Sequence, residues 1–166
     1  MPRIPTLILF ACLLGCSGDT SPPAEPIPES VVTQIGEVSQ SQDDVLLTLT
    51  VTLVTWNGND SLNLVSTIQN NGDRPIQYDP GGCACPNPAT GIWNEEGKRC
   101  PLPRPLCPCW WGTTLELGPQ EHVLRVGIFP AGCPEGTNEA LAGFFYSVSV
   151  NGEWVHRYLE VRFPLG

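Results

Sequence analysis

Basic residues are scarce in this chain. Lysine and arginine account for 8 of its 166 residues, against 17 aspartates and glutamates, so the formal net charge is −9. Nucleic-acid binding needs a basic surface, and we therefore exclude a nucleic-acid-binding role. The excess of acid predicts either attraction to cations and basic partners or a solvated acidic surface with no specific partner.

Histidine is also scarce, and the motifs of common catalytic sites are missing. The two histidines, His122 and His156, lie on predicted strands without a neighbouring serine or cysteine nucleophile motif. The sequence has no glycine-rich phosphate loop. Of its acidic pairs, Asp43-Asp44 precedes a predicted strand and Glu95-Glu96 occupies a predicted turn. Paired carboxylates are catalytic only when they are buried in different environments. We therefore predict that the protein is not an enzyme and has no cofactor.

The apolar segment near the start of the chain is too short to cross a membrane. It runs from Ile4 to Leu14, eleven residues, whereas a transmembrane helix needs about 20. Arg3 precedes this segment, and Gly15 follows it directly before Cys16. This layout is typical of a secretory signal, so residues 1–15 are predicted to be a signal peptide that is removed.

The end of this segment, Leu13-Leu14-Gly15-Cys16, resembles the lipobox of bacterial lipoproteins. The resemblance implies diacylglyceryl transfer to the Cys16 thiol, cleavage after Gly15 and acylation of the new amino terminus. Two or more acyl chains hold a protein stably at a membrane, so the chain is expected to be lipid-anchored in the cell envelope. Ser17 follows the cysteine, and the resemblance to enterobacterial lipoproteins then implies delivery to the outer membrane. The alternative is an ordinary cleaved signal with Cys16 as an incidental thiol.

A proline-rich linker follows the lipidation site. Ser17 to Ser30 contains four prolines and no aromatic residue, a composition typical of an extended spacer. Together with Cys16 it forms the segment 16–30, and at about 3.1 Å per residue it would reach roughly 40 Å. The remaining residues, 31–166, have the length of a single domain.

This domain shows the alternation of β-strands rather than helical spacing. Val45 to Thr55 alternates apolar residues with threonines, and Asn57-Gly58 and Asn151-Gly152 are typical of tight hairpin turns. Similar apolar sets recur later in the chain: Leu62, Leu64 and Ile68; Leu115 and Leu117; Leu124, Val126 and Ile128; Ala142, Phe144, Tyr146, Val148 and Val150; Val155, Leu159, Val161 and Phe163. Seven or eight short strands separated by turns predict an all-β antiparallel sandwich.

Three segments of the domain resemble immunoglobulin-like domains of bacterial envelope proteins. They are Leu64 to Ile76, Leu115 to Gln120 and Gly143 to Val148, and their pattern is similar to the intracellular proteinase inhibitor (BsuPI-like) family. The resemblance implies an immunoglobulin-like β-sandwich and, as an alternative function, a protease-inhibitor-like domain. The family's Leu-x-Pro-Gly turn reads Leu117-Gly118-Pro119 here, and residues 83–111 have no counterpart in the family.

Residues 79–111 form a cysteine-rich and proline-rich insertion, predicted to be a long loop in which Ile92 to Lys98 is expected to form a small hairpin. The insertion holds seven prolines and five of the six domain cysteines, which are Cys83, Cys85, Cys100, Cys107, Cys109 and Cys133. An even set of cysteines in an exported domain predicts disulfides. We expect three, two largely within the insertion and one linking it to the Ala131–Pro134 loop, although six cysteines allow 15 pairings.

The alternative use of these cysteines is metal binding. Cys83-x-Cys85 and Cys107-x-Cys109 would supply four thiolates, which suit copper(I) or zinc. Their one-residue spacing differs from the two to four residues of structural zinc sites, and exported thiols tend to be oxidised. We therefore predict no metal site, and a thiolate metal-binding envelope protein stays the alternative.

Three tryptophans lie in or beside the insertion: Trp93, Trp110 and Trp111. They could form an exposed binding face, or they could cover the disulfides and the open end of the sandwich. The sequence as a whole predicts a lipid-anchored, non-enzymatic envelope protein that is a protein-interaction or structural module. Its expected partners are the membrane, through the lipid, and an envelope protein.

Overall fold

The computed structural model describes residues 30–82, 85–100, 113–133, 135–136 and 138–166, with Cys85 and Pro86 described by their backbone alone. These residues form strands and connecting turns. The strands, in chain order, are β1 (Val31–Gln42), β2 (Val45–Trp56), β3 (Asn59–Asn70), β4 (Ile76–Tyr78), β5 (Gly81–Gly82), β6 (Cys85–Pro86), β7 (Ala89–Asn94), β8 (Leu115–Leu117), β9 (His122–Pro130), β10 (Asn138–Val150) and β11 (Glu153–Pro164).

Two antiparallel sheets pack face to face. The first sheet has the order β1-β2-β3-β9, and the second has the order β11-β10-β4-β8, with β7 also pairing with β10. A small ribbon of β5 and β6 lies beside them. The predicted all-β sandwich is confirmed.

The core lies between the two sheets and follows the alternation of the strands. On β2 the buried side chains are Val45, Leu47, Leu49 and Val51, and on β10 they include Ala140, Ala142, Phe144 and Tyr146. Fully burying one large apolar side chain stabilises a fold by about 1.5–3 kcal/mol. Of the apolar set predicted to line one face of β10, Ala142, Phe144 and Tyr146 lie in the core, whereas Val150 at the end of the strand is 43% exposed.

Tight turns join the long hairpins, as predicted. Asn57 and Gly58 have φ values of 51° and 73°, and Asn151 and Gly152 have φ values of 52° and 86°. Positive φ at both central residues is the type I′ conformation, whose twist matches that of the flanking strands. A third turn of this kind, at Asp43-Asp44 with φ values of 50° and 62°, joins β1 to β2.

The strand inventory differs from the prediction of seven or eight short strands. The described residues contain eleven strands, and β1, β2, β3 and β11 each have 12 residues while β10 has 13. The β1 segment was not predicted as a strand, because its side chains are mostly exposed and its apolar residues do not alternate.

The insertion is not entirely a loop, which corrects the prediction for residues 79–111. Its segment β7 forms an edge strand against β10, and Ile92 on this strand is fully buried in the core. No proline lies between Pro88 and Pro101, so these residues can donate every ladder hydrogen bond. The chain then bends back through an antiparallel bridge between Trp93 and Arg99, so the small hairpin expected within the insertion is present.

Strand β9 turns its predicted apolar set outward. Leu124, Val126 and Ile128 are 55%, 56% and 59% exposed, whereas Gly127 and Phe129 face the core. Both alternating sets on this strand contain apolar residues, so the alternation alone does not decide which set faces inward. The outward set leaves an apolar stripe on the edge of the first sheet.

Candidate functional site

The outer surface of the second sheet carries three exposed aromatic rings. Phe145 on β10 is 63% exposed, and Trp154 and Tyr158 on β11 are 46% and 42% exposed. Phe145 pairs with Tyr158 in the ladder, and Trp154 pairs with Ser149. Because side chains two residues apart on a strand share a face, the three rings lie on the same side of the sheet. We call Phe145, Trp154 and Tyr158 the outer aromatic face.

Phe145 and Tyr158 stack on each other across the two strands. Their ring centroids are 4.3 Å apart and their planes differ by 28°. The Tyr158 ring lies over Gly143, where a side chain of any size would collide with the tyrosine hydroxyl. A glycine at this position is therefore what allows the ring to lie against the sheet.

A chain of charged groups holds the Tyr158 hydroxyl. The hydroxyl donates to Glu160 at 2.6 Å, and Arg162 Nε donates to the same carboxylate at 2.7 Å. Burial, followed by the hydrogen bond to Glu160, raises the pKa of Tyr158 to about 12. The hydrogen bond from Tyr158 in turn lowers the pKa of Glu160. At neutral pH the Tyr158 hydroxyl is therefore protonated and the Glu160 carboxyl is ionised. In these states the hydroxyl can donate to the carboxylate, which holds the tyrosine ring in place.

An open groove of about 430 Å³ lies at the Trp154 end of the face. Phe145, Trp154, Ser147, His156 and Gln77 line it. Ser147 Oγ and His156 Nδ1 are 2.9 Å apart, and Gln77 is opposite Ser147 on the neighbouring strand. Asp79 and Arg157 also line the groove, which therefore combines aromatic rings with hydrogen-bonding and charged groups.

The serine–histidine pair was missed in the sequence, because the two residues meet only across the β10–β11 ladder. Both lie on an exposed sheet face, and among the hydrogen bonds of the described residues none joins a carboxylate to the other nitrogen of His156. A base that activates a nucleophile is ordinarily oriented by such a third group. The geometry thus presents the pair as polar groups of a surface groove.

A second cavity, of about 520 Å³, lies at the opposite end of the sheet surface. Trp93, Glu139, Leu141 and Arg162 contribute to its lining. Since Leu141 and Phe145 face the same side of β10, the two cavities flank the stacked pair along one surface. The surface from Ser147 to Glu139 spans eight residues of one strand, about 27 Å at 3.4 Å per residue.

Trp93 is the one predicted binding tryptophan that the structure describes. It is half-buried: its ring lies over Gly91, and the Arg99 guanidinium lies 5.1 Å from the ring centroid. The ring therefore mainly covers its own edge strand. Trp110 and Trp111 lie outside the described residues.

One predicted disulfide is present. Cys100 and Cys133 are joined, with their Cα atoms 5.4 Å apart, and this bond links the insertion to the loop after β9. Cys16, Cys83, Cys107 and Cys109 lie outside the described residues, as does the Cys85 side chain. Within the described part of the chain, no three histidine, cysteine or acidic side chains are grouped so that they could hold a metal ion.

The aromatic pair could have been predicted from the sequence. A two-residue turn at Asn151-Gly152 sets the register of its hairpin and places Phe145 opposite Tyr158. Phe145, Trp154 and Tyr158 lie outside the alternating apolar sets from which the strands of this hairpin are predicted, and this aromatic surface was therefore not predicted as a site.

Comparison with protein families, with curated proteins and with solved structures finds no match to this chain. Over the ranges that the structure describes, no helix is long and apolar enough to cross a membrane. The resemblances to bacterial lipoproteins and to the BsuPI-like family stay predictions.

Proposed function

We propose that this chain is a lipid-anchored cell-envelope protein whose β-sandwich is a non-enzymatic binding module. The observation that carries the proposal is the outer aromatic face, where three large rings are exposed on one sheet surface between two cavities. Aromatic residues are enriched where proteins bind partners, because they supply large contact area at a low cost in conformational entropy.

The anchor supports this role by its position. The lipobox ends at Cys16, and the proline-rich linker after it would hold the domain up to roughly 40 Å from the membrane surface. The disulfide between Cys100 and Cys133 is the kind of bond that persists in an oxidising compartment. An exported, tethered domain with an exposed aromatic surface is suited to binding a component of the envelope.

Capture from an envelope extract tests the binding surface. The immobilised full-length protein is compared with Phe145→Thr/Trp154→Thr, which removes two rings and keeps residues that favour strands. The control is Leu124→Thr/Ile128→Thr, which removes similarly exposed apolar side chains from the other sheet. We expect the first variant to lose the captured component and the control to retain it. Equal capture by all three proteins would contradict the proposed surface.

Intact mass of the membrane-extracted protein tests the anchor. We expect a chain that begins at Cys16 and carries acyl groups, and we expect Cys16→Ser to lose them. An unmodified chain that retains residues 1–15 would contradict the proposal of a lipid anchor.

A further inference from the structure

We infer that the ligand of the outer aromatic face is a neutral oligosaccharide chain of pyranose units. This inference rests on the proposed binding function and names the chemical class of its ligand. It follows from the ring arrangement, from the polar groups between the rings and from the shape and charge of the surface.

The ring arrangement suits a sugar chain. A pyranose presents a flat patch of C–H groups, which packs against the face of an aromatic ring, and its hydroxyls project around the rim. The Phe145–Tyr158 stack forms one such platform and Trp154 forms another. Trp154 and Tyr158 are four residues apart on β11, so their Cα atoms are separated by about 13 Å. The two platforms would therefore contact different units of one chain.

The polar groups between the platforms suit sugar hydroxyls. Ser147 and His156 form the ladder pair that lies between the Trp154 row and the Tyr158 row, and Gln77 neighbours Ser147. A hydroxyl, an imidazole and an amide offer both donors and acceptors, as hydroxyl groups require. All three line the groove beside Phe145 and Trp154.

The shape of the surface favours a chain over a flat protein partner. A standard protein–protein interface buries about 800 Å² on each side, with a closely packed centre. Here a narrow row of rings is interrupted by cavities of about 430 and 520 Å³, which a narrow chain can enter and a flat surface would leave unfilled.

The charge of the surface favours a neutral ligand. The chain carries a net charge of −9, which repels anionic polymers. Arg157 lines the groove and contacts Asp43 at 2.6 Å. Arg162 lines the second cavity and contacts Glu160 at 2.7 Å and Glu139 at 3.3 Å, so both cationic charges are largely neutralised. The surface thus offers no free cation to an acidic sugar at this position.

Calorimetric titration of the full protein tests the inference. The probes are chitohexaose and cellohexaose, with an oligogalacturonate as the anionic comparison, and the detergent is zwitterionic because glycoside detergents would compete. We expect saturable binding of at least one neutral hexasaccharide and none of the oligogalacturonate. The variant Phe145→Thr/Trp154→Thr should weaken binding by about tenfold or more, while Leu124→Thr/Ile128→Thr should bind as the parent does.

The outcomes separate this inference from the proposed function. If neither neutral probe binds while envelope capture still depends on Phe145 and Trp154, the ligand class is wrong and the binding function stands. Binding of the oligogalacturonate alone would also overturn the ligand class. If sugar binding survives the loss of both rings, the site is wrong, and if capture and sugar binding are both missing, the proposed function falls as well.

Discussion

The side-chain amide of Asn87 bonds to the backbone of Phe145 as a neighbouring strand would. Asn87 Oδ1 accepts the Phe145 N–H at 2.9 Å, and Asn87 Nδ2 donates to the Phe145 carbonyl at 2.7 Å. Along β10, this bond pair lies between the residues that pair with β7 and the one that pairs with β4. An amide from the insertion therefore closes the gap in the ladder directly behind the exposed Phe145 ring.

Replacement of Asn87 by Ala should destabilise the fold by about 1–2 kcal/mol, because it removes two hydrogen bonds from a strand in the middle of a sheet. Denaturant unfolding measures the loss, and amide exchange should accelerate at Phe145 in particular. Asn87→Asp should be no more stable than Asn87→Ala, since a carboxylate cannot donate to the Phe145 carbonyl. The exposed Asn59→Ala is the control, and an effect of equal size there would contradict this role for Asn87.

Asn70 is a second structural amide, and its replacement should cost more. It is 1% exposed and donates to the carbonyls of Arg74, Leu117 and Gly118 at 2.8, 3.0 and 3.2 Å. Asn70→Ala leaves buried carbonyls without their donor, so we expect a loss of about 2–3 kcal/mol. The exposed neighbour Asn71→Ala serves as the comparison. A neutral Asn70→Ala would show that water replaces these bonds without cost.

The disulfide should stabilise the domain substantially. Cys100 and Cys133 close a loop with a sequence separation of 33 residues, for which the chain-entropy relation gives about 4 kcal/mol. Cys100→Ala/Cys133→Ala should lower the free energy of unfolding by roughly this amount. Peptide mapping of the non-reduced protein should recover these two cysteines in one linked fragment. Recovery of Cys100 paired with another cysteine would contradict the structure.

The phenols should titrate late in the native protein. The chain has three tyrosines, Tyr78, Tyr146 and Tyr158. Burial raises the pKa of Tyr78, and it raises the pKa of Tyr146 and of Tyr158 to about 12. Because the raised pKa means that the native state holds these protons more tightly, the associated stability is present below pH of about 10 and is lost as the pH rises toward 12. The absorbance of the phenolate band, recorded against pH, measures the ionisation of the phenols in the native protein and in the denatured protein.

Native protein should show little phenolate at pH near 10, whereas denatured protein should ionise there. Tyr158→Phe should remove one late phenol and should also raise the pKa of Glu160, which loses its hydrogen bond from the tyrosine hydroxyl. Ionisation of all three phenols of the native protein near pH 10 would contradict the burial of Tyr78 and Tyr146 and the partly covered, hydrogen-bonded position of Tyr158.

The parts of the fold that the sequence predicts correctly are those set by local chemistry. The β10–β11 hairpin follows from alternating apolar residues and from the Asn151-Gly152 turn, and both are visible within one stretch of chain. The direction of β9 could not be predicted, because Val123 and Phe129 compete with Leu124 and Ile128 for the core.

Long-range pairings were also beyond the sequence. Asn87 and Phe145 are 58 positions apart, and the bond between them depends on where the insertion returns to the sheet. The pairing of β7 with β10 was hidden by the surrounding prolines and cysteines, which are typical of a loop. The three rings of the outer aromatic face follow from the turn register of one hairpin, whereas the bonds from Asn87 and the cavity beside Trp93 depend on these tertiary contacts.

Photo-crosslinking in living cells tests the central claim most directly, which is that the outer aromatic face binds an envelope component. A benzophenone side chain replaces Phe145 in one full-length protein and Leu124 in another, so that both probes occupy exposed sites on opposite sheets. We predict that irradiation yields an adduct from position 145, with a mass gain that matches sugar units, and none from position 124. A protein that stays free at position 145 while position 124 forms the adduct would contradict the account.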